Sequence, residues 1–191
     1  MSEPKDPGIP QQPPTPDQAN RDIIDFESFN IRDLDWKASE DGKKFTAHRY
    51  LKTGEDITRF AGTISIKKGK DILEEIDLRL EFGRDPFLRI TAKIDRNGKC
   101  QDTMLRRRKF DSLHNLVAGQ DHVFYQKFLK FLDARARIEK QIRIHEIDRM
   151  VSFVGRYDEK TWNTKFVPVL RAAGYREISP NKWEKQFEVN Q

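Results

Sequence analysis

The chain has 191 residues, 36% hydrophobic and 35% charged, with a formal net charge of +5 and a single cysteine. That length supports one core plus a tail, and a lone Cys100 excludes an intramolecular disulfide framework and a multi-cysteine zinc site. No run reaches the roughly 18 apolar residues of a membrane span, and the start lacks a basic then apolar leader, so the expectation is a cytoplasmic protein, neither secreted nor membrane-inserted.

Charge divides the chain. Residues 1–36 hold three Lys/Arg against eight Asp/Glu, whereas residues 37–191 hold 33 against 23. The acidic part opens on a Pro-rich stretch, 1–19, with Pro4, Pro7, Pro10, Pro13, Pro14 and Pro16 among polar spacers. Such a composition buries too little apolar surface to offset ordering entropy, and disorder is expected there. Residues 20–36 follow as an acidic arm. Ile23, Ile24 and Phe26 among carboxylates predict a short amphipathic helix or an extended segment packed on the domain, one also able to cover a basic surface in cis. Residues 37–191 are read as a single basic α+β domain.

From Lys44 the hydrophobic period becomes two. Ile76, Leu78, Leu80 and Phe82 alternate with Asp77, Arg79 and Glu81, the pattern of a strand with one buried face. Similar runs cover Phe45 to Leu51, Ile57 to Ile66 and Phe87 to Ile94, separated by Gly-containing turns. Asn97-Gly98 predicts a type I′ turn into a last strand from Cys100 to Leu105. Links this short require antiparallel neighbours.

Beyond Leu105 the period turns helical. Leu113, Leu116 and Val117 suggest a first helix, and Asp121 is a candidate N-cap for a long one. There Phe124, Phe128, Phe131, Leu132, Ile138 and Ile142 share a face opposite Lys127, Lys130, Arg137 and Lys140. Past Ile142 the apolar set rotates around the axis, which predicts a break near His145. A final helix from Asp158 to Ala173, interrupted at Pro168 and stopped at Gly174, leads to a hairpin around Ser179-Pro180-Asn181. The predicted fold is α+β: an antiparallel β-meander of four or five strands (44–105), followed by three or four helices and a C-terminal hairpin (106–191), behind a disordered N-terminal tail.

Function is read from charge placement. Arg106, Arg107, Arg108 and Lys109 form the densest cationic run, and with Lys127, Lys130, Arg137 and Lys140 of the long helix they are the candidate nucleic-acid contacts. The plain alternative is a solvated surface. Arg135 projects into the apolar face, its head seeking Glu139, water or a partner. His48, Tyr50, Arg59, Arg79, Arg89 and Lys93 would share an uncovered sheet face able to stack single-stranded bases. No phosphate-binding loop, nucleophile elbow, HExxH or dinucleotide fingerprint occurs. No cofactor, metal or catalytic residue is therefore expected. The leading expectation is a non-enzymatic nucleic-acid-binding protein, for DNA or RNA. An alternative is an interaction module, inhibitor or adaptor, for an acidic protein, and a third is a metal-dependent nuclease on Glu74, Asp77 and Glu81.

Overall fold

A computed structural model describes residues 23–54, 56–67, 71–83, 85–107, 120–139, 141–153 and 157–188. Among these, ten strands form one mixed sheet: β1 (Ile23–Asp25), β2 (Lys37–Ala38), β3 (Lys44–Thr53), β4 (Asp56–Ile66), β5 (Ile72–Phe82), β6 (Asp85–Asp95), β7 (Lys99–Arg106), β8 (Ile144–Asp148), β9 (Arg176–Ser179) and β10 (Lys182–Gln186). The order is β1-β3-β4-β5-β6-β7-β8-β10-β9, with β2 also on β3. Helix α1 (Asp121–Glu139) is the long one, followed by the single turn α2 (Arg149–Ser152). Three consecutive pieces then run on as α3: Glu159–Thr161, a π-helical turn Trp162–Phe166 and Val167–Ala172. None of the helices in the described residues is long and apolar enough to cross a membrane.

This architecture overturns the predicted meander of four or five strands followed by three or four helices. Strands β3 to β7 pair antiparallel in sequence order, but the sheet does not end with them. On one edge β1 adds parallel to β3, Ile23 opposite Tyr50. On the other, β8 adds parallel to β7, Cys100 opposite His145, and carries β10 and β9 with it. The reason is the open ladder at each edge of a meander, whose unpaired N–H and C=O groups accept another strand. Parallel addition needs a crossover, which the connection containing α1 provides. Where the sequence suggests a helix broken near His145, the chain leaves α1 at Glu139 and is extended by Ile144. The alternation in Ile144-His145-Glu146-Ile147-Asp148, five residues long, is a strand period.

Cross-strand pairing sorts the side chains onto two faces. Phe45, Ile64, Ile76 and Ala92 face α1, as do Phe60, Leu80 and Leu88. Against them α1 sets Phe124, Phe128, Phe131 and Leu132, all buried. Ile138, assigned to the same face by its spacing, is 76% exposed. From Ile23 the acidic arm packs on the domain as β1 followed by a 3-10 turn, Ile31–Asp33: Phe26, Phe29 and Ile31 are buried, and Lys127 of α1 donates to the carbonyls of Glu27 (3.0 Å) and Phe29 (2.6 Å). The turn into β7 also differs from expectation. Asn97 does not take a positive φ, while Gly98 does at 78°, so the link is a three-residue turn with glycine at the left-handed position. The Asp95 carboxylate accepts from the Asn97 and Lys99 N–H groups. The Gly98 carbonyl then accepts from Arg143 and Ile144, which starts β8 beside β7.

A buried polar network joins meander and C-terminal unit. Asp102 on β7 accepts from the Tyr125 hydroxyl of α1 at 2.7 Å and lies 3.1 Å from His145 Nε2 on β8. His145 Nδ1 in turn lies 2.6 Å from the Tyr175 hydroxyl, ahead of β9. Burial, followed by the Asp102 charge for Tyr125 and the Cys100 thiol for Tyr175, pushes both phenols well above their ordinary range, so both remain hydroxyl donors. With the ring hydrogen on Nε2, every polar hydrogen in this network has an acceptor.

Candidate nucleic-acid interface

Among the described residues, the cations singled out from sequence do not converge. Arg108, Lys109 and Lys140 lie outside the described residues, as does the helix suggested by Leu113, Leu116 and Val117. Arg106 is held at 3.4 Å from Asp121, at the start of α1. Arg107 is half exposed, 4.0 Å from Asp85. Arg137 sits sixteen residues along α1 from Asp121, about 24 Å at 1.5 Å per residue, and pairs with Asp133 at 2.8 Å while remaining 79% exposed. Lys130 is exposed on the same helix. Lys127 is committed to the arm, and burial together with Lys130 lowers its pKa. Arg135 Nε and Nη2 donate to Glu74 Oε1 at 3.1 and 2.7 Å, with side chains only 16% and 3% exposed.

The uncovered sheet face is a lattice of opposite charges. Arg89 binds Asp77 through two bonds of 2.9 Å, Arg59 binds Glu81 at 3.0 Å, and Arg79 bridges toward both carboxylates. Each pair alone is worth about 0–1 kcal/mol, but together they leave few cations for a backbone to track. Glu74 points to the opposite, helix-covered face, two residues from Ile76, whereas Asp77 and Glu81 share the open one. The three carboxylates proposed for a metal therefore do not meet, and no His, Cys, Asp or Glu group among the described residues is arranged to hold one.

A different surface gathers exposed polar groups on one rigid element, α3. Its inner side is aromatic and buried: Trp162 stacks on Phe166 at 5.6 Å, and Phe153 meets each of these rings at 5.0 Å. Val167 and Leu170 complete that side. Anchoring at positions 162, 166, 167 and 170 turns Lys160, Asn163, Thr164 and Arg171 outward, with Lys165 on the flank, and all five are exposed. Local chemistry shapes the helix. Asp158 caps it, its carboxylate accepting from Thr161 N–H at 2.6 Å, and the hydrogen bonds from Thr161 hold that carboxyl below its usual range. Pro168 has no N–H for the Thr164 carbonyl, and the chain accommodates it with the π turn before it, where Val167 N–H reaches back to Trp162. At the end, Tyr175 N–H returns to the Leu170 carbonyl at 3.0 Å, a closure that Gly174 permits at φ 84°.

The β9–β10 hairpin stands beside α3. Pro180 and Asn181, the latter at φ 64°, occupy its two central turn positions, the residue types a type II turn uses. Arg176, Ile178 and Lys182 lie along it, Arg176 and Ile178 exposed. Arg149 of α2 fixes the tip relative to the helix: its backbone N–H donates to the Asn181 carbonyl (2.9 Å), its Nη1 to Asn181 Oδ1 (3.2 Å) and its Nη2 to the Tyr157 carbonyl (3.0 Å). Arg171 lies 5.8 Å above the buried Trp183 ring of β10, a cation–π contact between helix and hairpin. The outer stripe of α3 escapes a sequence reading based on charge density because it holds only three cations. Its signal is the 162/166/167/170 aromatic and aliphatic spacing, which leaves 160, 163, 164 and 171 facing out. The sequence matches no protein-family model and no curated protein.

Proposed function

We propose that the chain is a non-enzymatic nucleic-acid-binding protein that engages duplex DNA with α3 and the β9–β10 hairpin. The observation that carries this reading is the outward stripe of Lys160, Asn163, Thr164 and Arg171, with Lys165 beside it, on a helix locked from behind by buried rings. B-DNA's major groove admits an α-helix or a two-stranded ribbon, and asparagine pairs with adenine there through two bonds. Lysine and arginine supply the phosphate term. The deep, narrow major groove of A-form RNA does not take a helix, which favours DNA over duplex RNA.

The test is fluorescence anisotropy with a short labelled duplex across roughly 50 to 200 mM salt. The intact chain should bind more weakly as salt rises. Lys160→Ala with Lys165→Ala should weaken binding and flatten the log–log salt slope by about one for each phosphate that the variant no longer neutralises. Arg107→Ala and Arg137→Ala should change little. An equal fall in affinity with the second pair would move the interface back to α1 and the end of β7, and no binding at low salt would end the nucleic-acid reading.

A further inference from the structure

Between the C-terminal half of α1 and the sheet runs a groove of about 680 Å³, within the range of small-molecule sites. Its walls are apolar. Phe45, Ile64 and Ile66 come from the sheet, and Phe131 and Ala134 from α1, with Trp36 stacked on Phe131 at 5.7 Å. The seat of Trp36 is built in: its indole N–H donates to the Ile31 carbonyl, and its ring lies so close to Gly62 that a Cβ there would stand 2.6 Å from it. Ile138, the large apolar side chain left most exposed in the described residues, lies at the groove. The polar part of the lining is one-signed. Arg32, Lys67, Arg96 and Arg135 contribute four cations, and no carboxylate among the described residues lines the cavity.

We infer that this groove is a binding site for a long-chain carboxylate, the apolar chain lying between Trp36, Ile64 and Phe131 and the anionic head meeting Arg32 and Arg96. The four cations suit an anionic head, and the aliphatic surface of Ile64, Ile66 and Ala134 suits an alkyl chain. The cations differ in how they are held. Arg135 is tied to buried Glu74, and Lys67 donates to Glu75 at 2.6 Å. Arg32 pairs with Asp33 at 3.2 Å, both side chains over 60% exposed, an interaction cheap to redirect. Arg96 lines the groove from the exposed turn between β6 and β7. A cavity of about 680 Å³ is the size of a small-molecule pocket, which favours a single amphiphile over a docked protein segment.

The experiment follows the tryptophan fluorescence of the full chain during titration with dodecanoate, dodecanol and dodecyltrimethylammonium below their micelle concentrations. Trp162 and Trp183 are buried away from the groove, so the response reports Trp36. Dodecanoate should bind saturably and at least about tenfold more tightly than dodecanol, with the cation weakest, the difference a charge-assisted head-group contact supplies. Shortening the chain to decanoate should cost up to about fourfold for each methylene removed. Arg32→Gln with Arg96→Gln should bring dodecanoate down to the affinity of dodecanol and leave dodecanol unchanged. Ala134→Phe should remove binding of both while the circular dichroism spectrum is kept. Equal affinity for the three head groups would overturn the carboxylate assignment. An unchanged signal with all of them, or binding only of an acidic amphipathic peptide, would overturn the site as a small-molecule pocket. Because the head-group series uses the unaltered chain, it decides the matter even if Ala134→Phe does not fold.

Discussion

Replacing Tyr125 by Phe removes one oxygen from the centre of the molecule and leaves its ring packed against Phe153 and Phe166. That oxygen is the donor to Asp102 Oδ2 at 2.7 Å, in a place where both residues are buried. A hydrogen bond to a charged group contributes about 1.5–3 kcal/mol, and the carboxylate oxygen left behind cannot turn to water. For a chain of this size 1 kcal/mol shifts the melting temperature by about 2–4 °C, so Tyr125→Phe should lower it by roughly 3–12 °C. The assay is thermal unfolding followed by circular dichroism, paired with urea unfolding to check that the slope with denaturant is unchanged. In a double-mutant cycle, Asp102→Leu should absorb part of the cost of Tyr125→Phe, because the orphaned acceptor is gone. A melting temperature within a degree of the native chain would refute the claim that this network ties β7, α1 and β8 together. Strict additivity in the cycle would refute the direct Tyr125–Asp102 contact.

Other perturbations test other joints. Gly98→Ala should cost more than about 2 kcal/mol in urea unfolding: the left-handed φ alone costs about 1–2 kcal/mol, and the added Cβ would stand 2.5 Å from the Gln141 carbonyl oxygen. Glu74→Gln should cost about 3–5 kcal/mol by removing the buried carboxylate to which Arg135 Nε and Nη2 both donate; a smaller effect would mean that other groups or solvent hold the guanidinium. Lys127→Ala should expose residues 23–31 to proteolysis while leaving duplex affinity unchanged, since its ammonium is spent on backbone carbonyls. His122 carries a pH signature. Burial, then the Lys165 charge, lowers its pKa from 6.5, so the unfolded chain takes up the proton first as pH falls. Its contribution is fully present above about pH 6.5 and declines below that until the folded imidazole also protonates. His122→Gln should flatten the stability profile in that window, as measured by urea midpoints.

Legibility in the sequence followed the strength of local pattern. The alternation at Ile76 to Phe82 and the 3.6-residue spacing from Phe124 to Leu132 are long enough for packing and propensity to agree, and strand and helix lie there. The helix ending at Gly174 and the turn at Pro180-Asn181 are likewise written in residues with restricted φ. What escaped is set at long range. Five alternating residues at Ile144 to Asp148 carry the same local signal as the end of an amphipathic helix, and only the free edge of β7 makes them a strand. Ile23 to Asp25 became a strand for the matching reason at β3. Charge misled in the site for a related cause. Arg106, Lys127, Arg89 and Arg59 count as cations in a sequence, but each has a partner supplied by another element of the fold. The outer face of α3 was hidden by its modest charge and is visible only once the buried rings on its far side are known.

The α3 interface stands or falls on the salt-dependent affinity of the full chain for duplex DNA, compared with the Lys160→Ala, Lys165→Ala variant and with an Arg107→Ala, Arg137→Ala variant of unchanged melting temperature. Binding that weakens with salt, with the drop in affinity and in salt slope confined to the α3 variant, is the predicted result. Binding that ignores the α3 lysines, or no binding at about 50 mM salt, would contradict it.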